Sequence, residues 1–164
     1  MNVRPIAIGI AVMLAIGALW IGNDLRKTAE APAGFYIDTD DPRMIATGRT
    51  HYMNYCAACH GANLEGQPDW RIRGANGRLP APPHDETGHT WHHPDIVLFD
   101  ITRNGLVPGR TAPEGYESDM PAYAGVLPDE DIIAILAYIK STWSPEVRKL
   151  HDEVNHNAWQ GGAH

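Results

Sequence analysis

The sequence predicts an all-α domain of about three to five helices that are joined by long loops. Apolar residues recur at helical spacing in separate segments, and several of these segments begin or end at residues that cap helices. The chain of 164 residues contains 16 glycines and 13 prolines, which is typical of a loop-rich domain. An apolar N-terminal helix and a polar C-terminal helical extension flank the domain. The length suits one domain with appendages and is sufficient to bury a core.

The charge balance excludes one large class of function. Asp and Glu number 20 against 13 Lys and Arg, which gives a formal net charge of -7 at pH 7. A surface of this sign repels nucleic acid phosphates and favours partners that carry a basic patch. We therefore expect no nucleic acid among the partners of this chain.

An uncharged run, IAIGIAVMLAIGALWIG, occupies residues 6–22 behind Arg4. As a helix it would be about 26 Å long, slightly less than the bilayer core of about 30 Å. Residues 1–23 are expected to be a membrane-retained signal-anchor, or alternatively a signal peptide cleaved at the distant Ala29-Glu30-Ala31. We favour the anchor, with Trp20 at the outer interface. Either alternative exports the rest of the chain from a bacterial-type cytoplasm.

The domain is expected to begin at residue 41, after a linker of residues 24–40 that lacks apolar periodicity. Asp41-Pro42 is an N-cap followed by proline at the first helical position. Residues at helical spacing extend this first helix to the Cys59-His60 pair; they are Ile45, Gly48, Tyr52, Tyr55 and Cys59.

Three further segments predict helices. One covers residues 95–104 and ends at Asn104-Gly105. The next follows Pro128, with acidic residues in its first turn and Lys140 near its end, and it completes a domain of residues 41–143. A more polar helix follows Ser144 in the extension, residues 144–164. Residues 61–93 show no regular element, so we expect something other than backbone hydrogen bonding, such as a bound group, to organise this loop.

Both cysteines lie in YCAACHG, with His60 directly after Cys59. Two thiols three positions apart on a helix share one face and can reach the same flat molecule. Three alternatives are a redox disulfide, a zinc site completed by loop histidines, and two buried thiols; the first needs a motif that begins a helix, whereas this one ends a helix. The order Cys-x-x-Cys-His is the attachment signature of covalent haem. We therefore expect one haem c, bound by Cys56 and Cys59, with His60 on its iron.

The sequence resembles the bacterial class I cytochromes c, which carry a single haem, over about residues 42–143. The resemblance rests on GRTHYMNYCAACHG, on the APP of residues 81–83 and on DMPAYAGVLPDEDIIAILAYIKS. It implies a small cytochrome c fold wrapped around the haem, with Gly48 and Tyr52 where the first and last helices cross. It also implies that Pro83 or Pro82 offers its carbonyl to the free N–H of His60, and we select Pro83.

The resemblance assigns the sixth position on the iron to Met120. This residue lies 60 positions after His60, in a loop before the last helix, and Pro121 restricts its backbone. A thioether favours ferrous iron, which raises the potential and blocks external ligands. The alternative is a methionine of the core. Met53 is a poor rival, because it lies on the helix that supplies His60 and cannot easily reach the opposite haem face.

The loop PHDETGHTWHHPD contains four histidines within ten residues. They could bind a second metal such as copper, or one could replace Met120 as a ligand; alternatively they cap the next helix, contact propionates and line the surface. Trp91 is a further candidate for a propionate contact. No role is assigned to His151 or His156. The four loop histidines are His84, His89, His92 and His93.

These features predict an electron carrier, not an enzyme, on the periplasmic side of the inner membrane. The expected redox partner is a membrane respiratory or photosynthetic complex, or a periplasmic dehydrogenase, that docks briefly through a small surface. A retained anchor would hold the haem near such complexes and raise its effective concentration there. The alternatives are a fixed cytochrome subunit of a larger oxidoreductase, and a haem enzyme or gas sensor with a labile sixth ligand.

Overall fold

The computed structural model describes residues 35–161, and all regular structure in that range is helical. No β-strand forms between residues 35 and 161, so the all-α prediction is confirmed. The anchor predicted at residues 6–22 lies outside the described residues. None of the helices within them is long and apolar enough to cross a bilayer. The five helices are α1 (Pro42–Tyr55), α2 (Ala57–His60), α3 (Asp95–Asn104), α4 (Asp129–Ser141) and α5 (Pro145–Gln160), and a 3₁₀ turn at Thr90–His92 precedes α3.

The starts of α1 and α5 follow capping residues in the sequence. The Asp41 carboxylate accepts a hydrogen bond of 2.8 Å from the backbone N–H of Arg43, and proline occupies the first turn. The Ser144 hydroxyl accepts one of 3.3 Å from the N–H of Val147 in the same way. Both starts were predicted, because the capping residue and its partner are close in the chain.

The crossing of α1 and α4 forms the centre of the fold. Gly48 permits this contact, because a Cβ atom at that position would lie 1.8 Å from the carbonyl oxygen of Ala134. Tyr52, one turn further along α1, is fully buried, and its ring centroid lies 5.5 Å from that of Tyr138. The helix crossing implied by Gly48 and Tyr52 is therefore present.

The packed core includes a residue that precedes position 41. Ile37 falls within the predicted linker of residues 24–40, but it is only 1% exposed and belongs to the core. Its N–H donates to the Asp95 carboxylate at 2.9 Å, and its carbonyl accepts from the Lys140 ammonium at 2.9 Å. These two buried partners satisfy the backbone of Ile37 and so hold this segment against α3 and α4.

The C-terminal helix α5 packs on the same core. His151 is completely buried; its Nε2 lies 3.0 Å from the Asp95 carboxylate and its Nδ1 lies 3.1 Å from the carbonyl oxygen of Trp91, both within hydrogen-bond distance. Asn155 also donates to Asp95, at 3.2 Å. The histidine that received no role from the sequence is thus a principal contact between α5 and the rest of the fold.

Candidate haem site

His60 is the last residue of α2 and is 8% exposed. Its Nδ1 donates a hydrogen bond of 2.8 Å to the carbonyl of Pro82, which leaves the lone pair on Nε2. Burial lowers the pKa of His60, and the bond to Pro82 offsets this only in part. The ring is therefore neutral at neutral pH and can offer its Nε2 lone pair to a metal.

The acceptor for His60 is Pro82, so the selection of Pro83 was wrong. Successive carbonyls of an extended segment point in different directions, and only one of two adjacent prolines can face the imidazole. Pro83 packs instead against Gly66, where a Cβ atom would lie 2.4 Å from the Pro83 nitrogen. The Pro83 carbonyl accepts a long hydrogen bond of 3.4 Å from the Thr90 hydroxyl.

Both cysteine thiols are free and lie within one turn of His60. The predicted single helix is interrupted at Cys56, whose φ of -114° separates α1 from α2. Burial, with a smaller contribution from Cys59, raises the pKa of the Cys56 thiol to about 12. Two free thiols beside a neutral imidazole fit the donor set that a covalently attached haem needs.

Backbone hydrogen bonds close the loop of residues 61–93. The N–H of Gln67 donates to the carbonyl of Ala81 at 2.9 Å, and the N–H of His84 donates to that of Leu64 at 2.8 Å. Backbone hydrogen bonds therefore contribute to a loop for which the sequence predicts organisation by a bound group. Its bonds join residues far apart in the chain, which local patterns do not reveal.

A second imidazole stacks on His60. The ring of His84 lies 4.0 Å from it, centroid to centroid, with 21° between the planes. Burial, and to a lesser extent the neighbouring His60 and His89, holds the pKa of His84 well below its ordinary value, so this ring is also neutral. In the sequence, His84 is one of four histidines of the same loop. Its position directly after the proline pair was the signal that could have placed it beside His60.

The other loop histidines are dispersed. The ring of His89 stacks on Trp70 at 5.3 Å, His92 stacks on Trp91 at 3.6 Å, and His93 meets His89 edge-on at 5.5 Å. Among residues 35–161, no three His, Cys, Asp or Glu side chains group so that they could hold a metal ion. The alternative of a second metal site therefore gains no support from this part of the chain. His84 is also unsupported as the iron ligand opposite His60. Its ring stacks directly on the ring of His60, so no haem can lie between the two imidazoles.

The indole of Trp91 is engaged within its own loop. Its N–H donates to the carbonyl of Glu86 at 3.3 Å, and its ring packs against the core. This bond uses the group that a propionate would have contacted, so the arrangement does not favour the role predicted for Trp91. Arg73 lies over the ring of Tyr116 at 5.6 Å, a cation–π contact between two loops.

The segment around Met120 is anchored to two helices. The backbone N–H of Met120 donates to the Ser118 hydroxyl at 3.0 Å. The hydroxyl of Tyr123 donates to the carbonyl of Tyr55 at 2.6 Å, directly before Cys56, and the N–H of Ala124 bonds to the end of α3. Burial, with smaller contributions from the two cysteines, raises the pKa of Tyr123 to about 12. The segment that carries Met120 is therefore held close to the cysteines. The hydrogen bond from Tyr123 to Tyr55 that holds it could not be identified from the sequence.

Arg78 connects the loop of residues 61–93 with the Met120 segment. Its guanidinium forms ion pairs with Asp119 and, at 3.4 Å, with Glu117. These groups are largely exposed, so the pairs contribute little to stability. They nevertheless connect the loop that contacts His60 with the segment that carries Met120.

A helical domain with two free thiols and a buried neutral imidazole at one helix end fits the class of proteins that bind haem covalently. The family model described as cytochrome c matches residues 45–143, more than half of the chain, and the chain belongs to this family. Its cofactor is haem c, and its general activity is haem-based electron transfer with redox protein partners. Domains of this family usually work in the periplasm or outside the cell. Searches of curated proteins and of solved structures gave no match.

Proposed function

We propose that this protein is a one-electron carrier in which Cys56 and Cys59 hold haem c and His60 and Met120 are its axial ligands. The hydrogen bond of 2.8 Å from His60 to Pro82 carries the proposal. It selects the tautomer whose Nε2 lone pair is available, on a residue that directly follows the second thiol. The bound haem supplies the ferrous–ferric couple.

The residues of the chain attach, orient and protect this couple. Cys56 and Cys59 would each hold the haem through a thioether bond, because a thiol S–H can add across a vinyl group without a leaving group. The Pro82 carbonyl keeps a proton on Nδ1 of His60 and limits the motion of the ring. Ser118 and Tyr123 restrain the segment of Met120. Two protein ligands leave no position for a substrate, which suits electron transfer without bond chemistry.

We propose that the carrier works on the periplasmic side of the inner membrane, anchored by residues 6–22. Its partner would be a membrane respiratory or photosynthetic complex or a periplasmic dehydrogenase. Met53 and Tyr55, which are 45% and 41% exposed just before Cys56, offer a small apolar patch of the kind that transient docking uses. The net charge of -7 favours a partner with a basic surface.

Replacement of Met120 tests the axial assignment. Wild-type protein, matured with the haem-attachment machinery, should show the charge-transfer band of a ferric thioether ligand. Met120→Ala should abolish this band and lower the reduction potential, because the ligand that favours ferrous iron is lost. Met53→Ala, which removes an exposed methionine from α1, should change neither.

Two results would contradict the proposal. An unchanged spectrum in Met120→Ala would move the sixth ligand to another residue. Rapid binding of carbon monoxide to the reduced wild-type protein would indicate an open or labile position and would favour the gas-sensor alternative.

A further inference from the structure

The proposed axial imidazole is restrained on its face as well as at its edge. Pro82 holds Nδ1 of His60 with one hydrogen bond, which still permits the ring to rock about that contact. The ring of His84, stacked at 4.0 Å, covers one face of the imidazole. Rotation of His60 would drive its edge into His84, since interior groups in van der Waals contact leave little free space.

His84 is itself fixed from several directions. Its Nδ1 is hydrogen-bonded to the Thr90 hydroxyl at 2.8 Å, and its backbone N–H donates to Leu64 at 2.8 Å. Its carbonyl accepts a hydrogen bond of 2.9 Å from the indole N–H of Trp143. The edge of the buried Tyr52 ring meets the imidazole at 6.3 Å. A side chain held in this way can act as a rigid surface for its neighbour.

We propose that His84 is a positioning residue that sets the orientation of the His60 ring plane about its bond to the haem iron. The inference rests on the proposed function, in which His60 is an axial ligand. Residues behind a ligand commonly fix its orientation through hydrogen bonds, and here a stacked ring adds a second restraint. The orientation of an axial imidazole splits the iron d orbitals, so it determines the ferric spectra without changing the ligand set.

The test compares two replacements of His84 in the haem-loaded protein. His84→Leu removes the flat aromatic face, whereas His84→Phe keeps it and loses only the bond to Thr90. Ferric His84→Leu should show broader electron paramagnetic resonance lines and a narrower spread of the four haem-methyl proton shifts, because the freed ring samples several orientations. His84→Phe should keep a spread close to that of the wild type. His92→Leu removes an exposed histidine that stacks on Trp91 instead, and should leave both spectra unchanged.

A role limited to stability would lower the unfolding midpoint of His84→Leu and leave its ferric spectra as in the wild type, and that result would overturn the proposal. If His84→Leu does not fold, His84→Asn decides, because its side-chain amide can keep a hydrogen bond to the Thr90 hydroxyl while the stacked aromatic face is lost. A narrower methyl spread in His84→Asn supports the proposal, and an unchanged spread overturns it. Failure of the proposed function is distinguishable, since the wild-type protein itself would then lack a low-spin histidine–methionine spectrum.

Discussion

Single hydroxyl and carbonyl groups hold the two proposed axial ligands in place. The Pro82 carbonyl selects the tautomer of His60, and the hydroxyl of Tyr123 ties the Met120 segment to the carbonyl of Tyr55. The second contact matters because Met120 lies in a loop, where no helix fixes its position. A buried hydrogen bond of this kind contributes about 1 kcal/mol to the state in which it forms.

Tyr123→Phe should loosen the Met120 ligand and leave the fold intact. The replacement keeps the ring in the core and removes only the bond to the Tyr55 carbonyl. Imidazole added to the ferric protein should then displace the methionine more readily, with roughly two- to tenfold tighter apparent binding. Tyr116→Phe, in the same loop, keeps its ring beneath Arg73 and should bind imidazole as the wild type does. Equal affinities in all three proteins would show that Tyr123 does not restrain the ligand.

The sequence predicts the parts of the site that lie within one motif. Cys56, Cys59 and His60 lie within five consecutive residues, so their chemistry can be inferred from their order. The choice between Pro82 and Pro83 depends on the direction of a carbonyl, which residue types do not encode. His84 and Tyr123 act through partners 24 and 68 residues away in sequence, so no local pattern could identify them.

At the scale of elements, the helices were predictable because their signals are local, and the loop was not because its contacts join distant residues. Helix α1 was predicted from its cap, Asp41-Pro42, and α5 from a polar helical segment after Ser144, whose hydroxyl caps it in the structure. The loop of residues 61–93 was not, because its closing bonds link positions such as Gln67 and Ala81. Glycine content indicates that a loop is present, but it does not indicate which carbonyl accepts from which N–H.

Gly48→Ala should weaken the crossing of α1 and α4. The new Cβ would lie 1.8 Å from the carbonyl oxygen of Ala134, which belongs to the backbone and cannot rotate away. We expect a loss of about 1–3 kcal/mol in unfolding free energy, although alanine itself favours a helix by about 1 kcal/mol over glycine. Guanidinium unfolding measures the change. Arg49→Ala, at an exposed position of α1, should stay within about 0.5 kcal/mol of the wild type. If Gly48→Ala also stayed within about 0.5 kcal/mol of the wild type, the prediction would be wrong, because the two helices would then accommodate the added methyl group without loss of stability.

At the scale of the whole molecule, one buried carboxylate joins four segments of the chain. Asp95 at the start of α3 pairs with Lys140 of α4 at 2.7 Å and accepts from His151 of α5 at 3.0 Å. It also accepts from the backbone N–H of Ile37 and from Asn155. Burying charges is costly, and such a cluster need not exceed an apolar one in stability, but removal of one member leaves the others unpaired.

Acid should release this cluster, and Asp95→Asn tests its contribution. Burial alone would raise the pKa of Asp95, but the hydrogen bond from His151 and the charge of Lys140 outweigh it, so the pKa lies below its ordinary value. A carboxylate with a depressed folded pKa stabilises the protein above about pH 4, and this stabilisation is lost as the pH falls through the folded pKa. Urea unfolding from pH 7 to pH 2 should show that Asp95→Asn is less stable than the wild type at pH 7 and that its unfolding free energy depends less steeply on pH below about 4.

Asp152→Asn is the control, because it removes an exposed carboxylate of α5 that is bonded to Tyr36. Its acid slope, the change of unfolding free energy with pH below about 4, should equal that of the wild type. An acid slope in Asp95→Asn equal to that of the wild type would assign the acid sensitivity to other carboxylates.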